Sequence, residues 1–511
     1  MDKGKLKFIL LGLLLLISLT SFTAASSNIL NVGGPWSPKT TDPHIDGYSY
    51  QRLGIIDTLV DVDQDAALIP GLATNWQVSG DQLTWTFTLR DGVVFHDKTP
   101  FTAAAMKKSL EDSLVKSKTF ANVPIKEIKA PSDNILEIVL STPFSGLPAF
   151  MAKGESGALS PDCIDQGDIT RPIGTGPFIF ESFTPKEEIR TVKNPNYWGK
   201  VPSVDGVVYT SIPDAVTRSM MLQSGEIDIS LINPPEVTEK FQSMAGFTVK
   251  DQPIHRVRIM AYNCEEGPFT DKLVRQAINY AIDRQALVTY VMEGVGSPAA
   301  STFPPEFFWA NKDLQPFPYN PDQAKSLLTQ AGWTDSNNDG ILDKNGEKFS
   351  ITLLTYPERA ELPPMAEVIQ DQLKKVGIEV EIVVVDVDSS NARRNKGDFD
   401  IYLLGRGLLF TPDPDEVMMT DYHSSGTSGD GWCAYRWSNP EVDELIEKAR
   451  GIIDPSARKS LYDRVQEIVV DEAPVSYLNY YVNQDIYSDR VKGYRMHPTE
   501  LSYHLEEVSL S

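Results

Sequence analysis

Residues 397–416, GDFDIYLLGRGLLFTPDPDE, hold one arginine, Arg406, among glycine, leucine and phenylalanine. It stands just past a run, DFDIYLLG, that alternates like a strand. A guanidinium in apolar surroundings forks well onto a carboxylate. Arg406 is therefore either a surface residue or a clamp for an anionic ligand. Arg359 stands a few residues past another apolar run, FSITLLT at 349–355, and poses the same alternative. A hard-cation pattern occurs in DSNNDGILD at 335–343. There Asp335, Asn337, Asp339 and Asp343 take positions one, three, five and nine of a calcium loop, with Gly340 at the turn. The twelfth position, which should hold a bidentate glutamate, is Gly346, so a structural calcium would be weakly held and an Asx-rich connector is favoured.

Catalytic signatures are missing from the sequence. There is no G-x-S-x-G, no H-E-x-x-H and no phosphate loop. His44, His96, His255, His423, His497 and His504 form no i,i+4 pair. Nothing makes a positive case for an enzyme. Cys163, Cys264 and Cys433 match neither a disulfide framework nor a zinc spacing.

The elements that must position the two arginines read as α/β. FSITLLT is followed by a helix at 364–376, a strand at 378–387 and a strand at 398–405. So short a β-α-β crossover implies parallel strands, and ligands collect beyond the carboxyl ends of such strands. That places Arg359 and Arg406 on one edge of one sheet. A long helix, DKLVRQAINYAIDRQALVTYV at 271–291, is expected from Thr270 as its cap, with a stripe of Leu273, Ile278, Ile282 and Val288. A shorter helix is expected at 321–331. Earlier, LTWTFTLR at 83–90 alternates cleanly, and Asp91-Gly92 signals a hairpin into VVF. A helix at 101–115 has Thr102 as its N-cap.

The 511 residues exceed one core, so two or three domains are expected. Hydrophobic residues make up 41% and charged residues 23%, which excludes a disordered chain. Lys3, Lys5 and Lys7 precede an apolar run at 8–19 and the small residues Thr23, Ala24 and Ala25. This pattern is an export signal, with cleavage expected after Ala25 and no cysteine there for lipid attachment. The segment 1–25 carries a net charge of +2, so its removal takes the formal charge from −23 to about −25. Such a surface repels phosphate backbones and makes nucleic acid a poor partner.

Seven stretches, in order, resemble one family: LRDGVVFHDKTPFTAAAMKKSL, RPIGTGPFIFESF, KNPNYWGKVPSVDGVVY, LQSGEIDI, NCEEGPFTDKLVRQAINYAIDRQALV, YNPDQAKSLLTQAGW and YRWSNPEVDELIEKAR. The chain is similar to the peptide/nickel solute-binding proteins of ATP-binding-cassette importers. The resemblance implies two α/β lobes joined by a hinge, with an extra subdomain in the first. The expected division is 26–254 for the first lobe, 255–483 for the second, and 484–511 returning to the first. It also implies a monomer outside the cytoplasm, partnered by a membrane permease and an ATPase. Peptide binders of this family carry G-W-x-x-D, whose aspartate takes the peptide's amino group. Here Leu409 or Phe410 stands in its register, and Arg406 stands at or beside the tryptophan. Arg359 lies near the family's carboxylate-binding arginine. The resemblance keeps the anionic anchor and loses the cationic one. Phe410, Trp432 and Trp309 are aromatic candidates for the pocket wall. Short peptides are the first ligand class, and a metal chelate such as nickel held by small carboxylates is the second. A secreted hydrolase and a sensory binding protein are the remote alternatives.

Overall fold

The computed structural model describes residues 28–408, 411–427 and 435–511. One large twisted sheet runs through the molecule. Its order is Glu379–Val384, Ser350–Thr355, Ile401–Gly407, Phe247–Tyr262, Val475–Ser488, Ile229–Ser230, Ile29–Gly34, Gly206–Ser211, Glu188–Lys193 and Phe178–Thr184. The two long central strands, Phe247–Tyr262 and Val475–Ser488, are antiparallel and belong to both halves of the sheet. Their register shifts between Pro253 and Val257, where proline cannot donate to the ladder. The crossing strands and this irregularity make the connection between two lobes.

The second lobe is the α/β half. Ser350–Thr355 pairs in parallel with both Glu379–Val384 and Ile401–Gly407. Helix Leu362–Lys374 crosses between the first two, burying Leu362, Met365, Ala366, Ile369 and Leu373. The first lobe has its own core around Leu30, Val32, Ile55, Phe178 and Val207. An additional four-stranded antiparallel sheet, Ala73–Val78, Thr84–Leu89, Ile135–Leu140 and Ile125–Ser132, is covered by helix Ala103–Lys116. Trp85, Phe87 and Leu89 face its core while the threonines alternate outward, and Thr102 caps the helix by accepting from the Ala105 N–H. This sheet is the extra subdomain.

Several sequence expectations change. The helix expected over 271–291 stops at Ala281, in Lys272–Ala281. Ile282 is extended, and Asp283 caps a new turn by accepting from Ala286. A buried arginine, Arg284, then reaches the Asn279 and Tyr477 carbonyls, a set of partners that a continuous helix would not offer. The cap of the first segment is Asp271, not Thr270: its carboxylate accepts from the Leu273 N–H. Asp91-Gly92 is a turn but not a hairpin. Val94 makes only an isolated bridge to Pro100, and strand Thr84–Leu89 pairs instead with Ala73–Val78 and Ile135–Leu140. Arg406 lies within the strand Ile401–Gly407, opposite Val257, rather than in the loop beyond it.

Candidate functional site

Where the lobes face each other, each contributes a residue from just beyond the carboxyl end of a strand. Trp36 follows Ile29–Gly34 in the first lobe, and Arg359 follows Ser350–Thr355 in the second. The Arg359 guanidinium lies 5.8 Å from the Trp36 ring centroid and 5.1 Å from that of Tyr481, on a crossing strand. Among the described residues no carboxylate or carbonyl accepts a hydrogen bond from its side chain. Gly405 makes this placement feasible. A Cβ there would run into the Tyr481 hydroxyl and lie 3.0 Å from the Arg359 Cδ and Nε.

Two further arginine groups surround this one. Arg258 donates from Nε and Nη2 to Glu361 Oε1 at 3.0 and 2.9 Å, and Tyr481 donates to the same oxygen at 3.0 Å. Its guanidinium stacks 3.4 Å from the Tyr481 centroid. Burial pushes the Glu361 carboxyl up, but the guanidiniums of Arg258 and Arg359 outweigh it and hold it below the ordinary range. Glu500 joins Arg256 at 2.7 Å and Arg52 at 3.3 Å, and accepts from Asn483 at 3.2 Å. The Arg52 guanidinium lies 3.4 Å over the Tyr48 ring. Tyr48 and Arg52 line a small cavity of about 20 Å³ with Trp36, Tyr209 and Tyr503. Arg52, Arg256, Arg258 and Arg359 thus lie around the two carboxylates Glu361 and Glu500.

The lobes meet in this structure. Lys153 of the first lobe donates to both oxygens of Glu416 in the second, at 2.9 and 3.0 Å. The Ser145 N–H and hydroxyl both donate to the Arg450 carbonyl, and the Arg450 guanidinium lies 4.8 Å from the Phe144 centroid.

Arg406 differs from its expected setting. Neither a surface position nor an arginine left for a ligand is what the structure has, because an acid of its own chain meets it: Nε donates to Asp421 Oδ2 at 2.8 Å and Nη2 to Oδ1 at 2.9 Å. Arginine and aspartate are 5% and 1% exposed, so the fork is internal. Asp421 is 15 residues downstream, and only the fold of 411–427 back onto the strand brings it there. Trp309 packs on Phe308, Tyr462 and the Arg458 guanidinium, beside helix Pro455–Glu472. Phe410 and Trp432 lie outside the described residues, as does Cys433; Cys163 and Cys264 are free thiols. His423 bonds Ser425 and Glu447 within the second lobe.

The loop 335–343 ties itself together. Asp335 accepts from the N–H groups of Asp339 and Gly340, Asn337 from Asp339, and Asp343 from Ser336. Asp339 takes the Lys348 ammonium at 2.6 Å as its counter-charge. Among the described residues, the donors close enough to share an ion are His504, Glu506 and Glu507, and Arg495 already bonds Glu507. Micromolar calcium is therefore expected to leave the melting temperature unchanged. A rise in differential scanning fluorimetry that disappears in Asp339→Ala would show a real site in the loop.

Trp36, Tyr48, Arg52, Arg258, Tyr481 and Glu500 went unnoticed in the sequence. Trp36 had a usable signal, since it follows the strand ILNVGG as Arg359 follows FSITLLT. The others lie on crossing strands, a helix and a C-terminal turn, and no local pattern marks them.

Two lobes closing over a cleft lined with aromatic rings and arginines define a protein built to enclose a small solute. A family model described as bacterial extracellular solute-binding proteins, family 5 Middle, matches residues 67–429. The nickel-binding periplasmic protein of Escherichia coli (strain K12) is 30% identical over 465 residues, 87% of each chain. The dipeptide-binding protein of the same organism is 30% identical over 477 residues, 87% of this chain and 86% of its own. The oligopeptide-binding protein AppA of Bacillus subtilis, solved with a nonapeptide, superposes with a TM-score of 0.82 at 27% identity. That match covers 94% of this chain and 98% of AppA. The chain belongs to the family 5 extracellular solute-binding proteins, and its fold is the two-lobe binding-protein fold with a hinge and an extra subdomain. Among the described residues no helix is long and apolar enough to cross a membrane.

Proposed function

We propose that the protein captures a short peptide between its lobes, outside the cytoplasmic membrane, and delivers it to a permease driven by an ATPase. The observation that carries this reading is Arg359. Its guanidinium is held between the Trp36 and Tyr481 rings with no acceptor among the described residues, so a ligand carboxylate completes it. Two relatives bind peptides, by their names. Closure places the pair in a water-poor space, where it is screened less. The excess of arginine over carboxylate also favours the second reading, a nickel or other metal chelate held through carboxylates.

The test is calorimetry on the wild type and Arg359→Ala with a di- to pentapeptide library, nickel–histidine and nickel–citrate. Removing one partner of a buried charged pair costs about 2–5 kcal/mol, roughly 30-fold or more in affinity. Arg359→Ala should lose at least that for whichever probe binds. Binding within about threefold of wild type would refute the role of Arg359. Binding of nickel–citrate without any peptide would choose the second reading.

A further inference from the structure

Strand Ile135–Leu140 of the extra subdomain runs into a loop whose Phe144 is buried in that subdomain's core. The Trp85 indole N–H donates to the Phe144 carbonyl at 3.2 Å, and the Phe144 ring packs edge-on against Phe150 at 5.5 Å. The loop is thus fixed from behind, and Ser145 presents its N–H and hydroxyl to the second lobe. Both donate to the Arg450 carbonyl, at 2.8 and 3.1 Å. Arg450 is the last residue of helix Pro440–Arg450, where carbonyls have no partner within the helix. The first lobe therefore caps a helix of the second. The Arg450 side chain turns back over the same loop. Its guanidinium lies over Phe144, donates to the Asn122 carbonyl and pairs with Asp415 at 3.0 Å.

Helix Leu147–Phe150 carries the chain from this grip to a second one. Lys153 gives its ammonium to both oxygens of Glu416, which also accepts from the Thr411 hydroxyl. Lys153 is 7% exposed and Glu416 21%, so water screens the pair little. Asp413 is held by two Arg458 nitrogens at 2.7 and 2.8 Å, and a Cβ on Gly146 would lie 3.5 Å from its carboxyl carbon. One continuous stretch of the first lobe, 144–153, thus seats on 413–416 and on the end of helix Pro440–Arg450. Arg359 meets Trp36 and Tyr481 instead, so among the described residues the two grips and the cleft arginine share no side chain.

We propose that the extra subdomain is a latch: the stretch 144–153 stabilises the closed state through Arg450 and Glu416, and so sets the affinity of the cleft without touching the solute. The grips form only while the lobes meet. Opening hands the Arg450 carbonyl and the Lys153 ammonium to water, and closing exchanges that water for fixed partners. A solute's apparent dissociation constant is the intrinsic one divided by the fraction of protein competent to hold it. A weaker latch therefore raises that constant by one factor for every solute. A residue that touches the solute discriminates between solutes, and a latch does not. The proposal goes beyond the ligand reading and holds alike for a peptide or a metal chelate.

The experiment compares wild-type protein with a Lys153→Met, Ser145→Ala double variant and with Glu416→Gln, which weakens the same grip from the other lobe. Calorimetry with the di- to pentapeptide library, nickel–histidine and nickel–citrate gives the affinities. Small-angle scattering of solute-free protein gives the radius of gyration. Each variant should weaken every probe that binds by one common factor, about tenfold or more, and should enlarge the radius. A loss confined to one probe overturns the latch and places the altered residue against the solute. Equal radii with no probe weakened beyond about threefold overturn it too. So does an effect in the double variant that Glu416→Gln lacks. The radius needs no ligand, so a wrong choice between peptide and chelate is not mistaken for a failed latch. Near-ultraviolet circular dichroism checks folding, and the variants alter opposite lobes, so one that fails to fold leaves the other to decide.

Discussion

Replacing Arg406 with alanine is expected to lower the unfolding free energy by about 3–5 kcal/mol, the usual cost of breaking a buried ion pair by removing one partner. The reason lies in what remains. Asp421 is 1% exposed and receives two guanidinium hydrogen bonds, at 2.8 and 2.9 Å. Without the arginine it becomes a buried carboxylate missing its main counter-charge. The Gly407 carbonyl and the Thr420 hydroxyl also lose a donor. The fork joins strand Ile401–Gly407 to the turn Met418–Tyr422, so the damage should centre on the second lobe. A double variant, Arg406→Met with Asp421→Met, should recover most of the loss, because replacing both partners by apolar groups is often near neutral. Urea unfolding followed by tryptophan fluorescence measures both. If Arg406→Ala unfolds like the wild type but fails to bind the peptide library, the arginine is a ligand clamp and Asp421 is incidental.

Glu500 should produce the second large effect, with a defined pH dependence. Its backbone is left-handed at φ 58°, an uncommon state for a residue with a Cβ. Its carboxylate joins Arg52 of the first lobe's helix Pro43–Arg52 to Arg256 and Asn483 of the crossing strands. Burial pushes its pKa up, yet the Arg256 and Arg52 guanidiniums prevail and bring it from 4.5 to about 2. A depressed carboxyl stabilises the folded state fully above its unfolded pKa near 4.5. That contribution is lost as pH falls from there through about 2. The shift corresponds to about 3 kcal/mol. Glu500→Gln should cost about that much at pH 7 and flatten the acid limb of stability between pH 4.5 and 2. Denaturant titrations at pH 7, 4 and 3 on both proteins test this. A variant whose stability falls with acid as steeply as the wild type's would assign the acid sensitivity to other groups.

Local patterning carried much of the fold. The alternation of Trp85, Phe87 and Leu89 among threonines marked a half-buried strand, because side chains of a strand alternate faces whatever lies around it. FSITLLT, the helix ending before Gly377 and the strands after it defined a parallel β-α-β unit, since so short a crossover has one allowed hand. The same pattern placed Arg359 just beyond the carboxyl end of a parallel strand, where the structure has it. The break after Ala281 was harder to read. The stripe continues through Ile282 and Val288, but in the structure Ile282 is extended, Asp283 caps a new turn, and Arg284 reaches the Asn279 and Tyr477 carbonyls.

The sequence by itself determined the family, the α/β strands and helices, and the place of Arg359 beyond a strand end. These rest on periodicity, caps and turns, which act over a few residues, and on motifs in unbroken order. The tertiary structure decided which charges are matched. Arg406 finds Asp421, Arg258 finds Glu361 across 103 positions, and Arg52 finds Glu500 across 448. Arg359 finds no partner of opposite charge within bonding distance among the described residues. Pairing is a matter of a few ångströms between groups whose sequence separation carries no information about distance once the two crossing strands bring the lobes together. Coulomb energy depends on that distance and on burial, so the chain's order alone could show the arginines but not which of them the fold pairs.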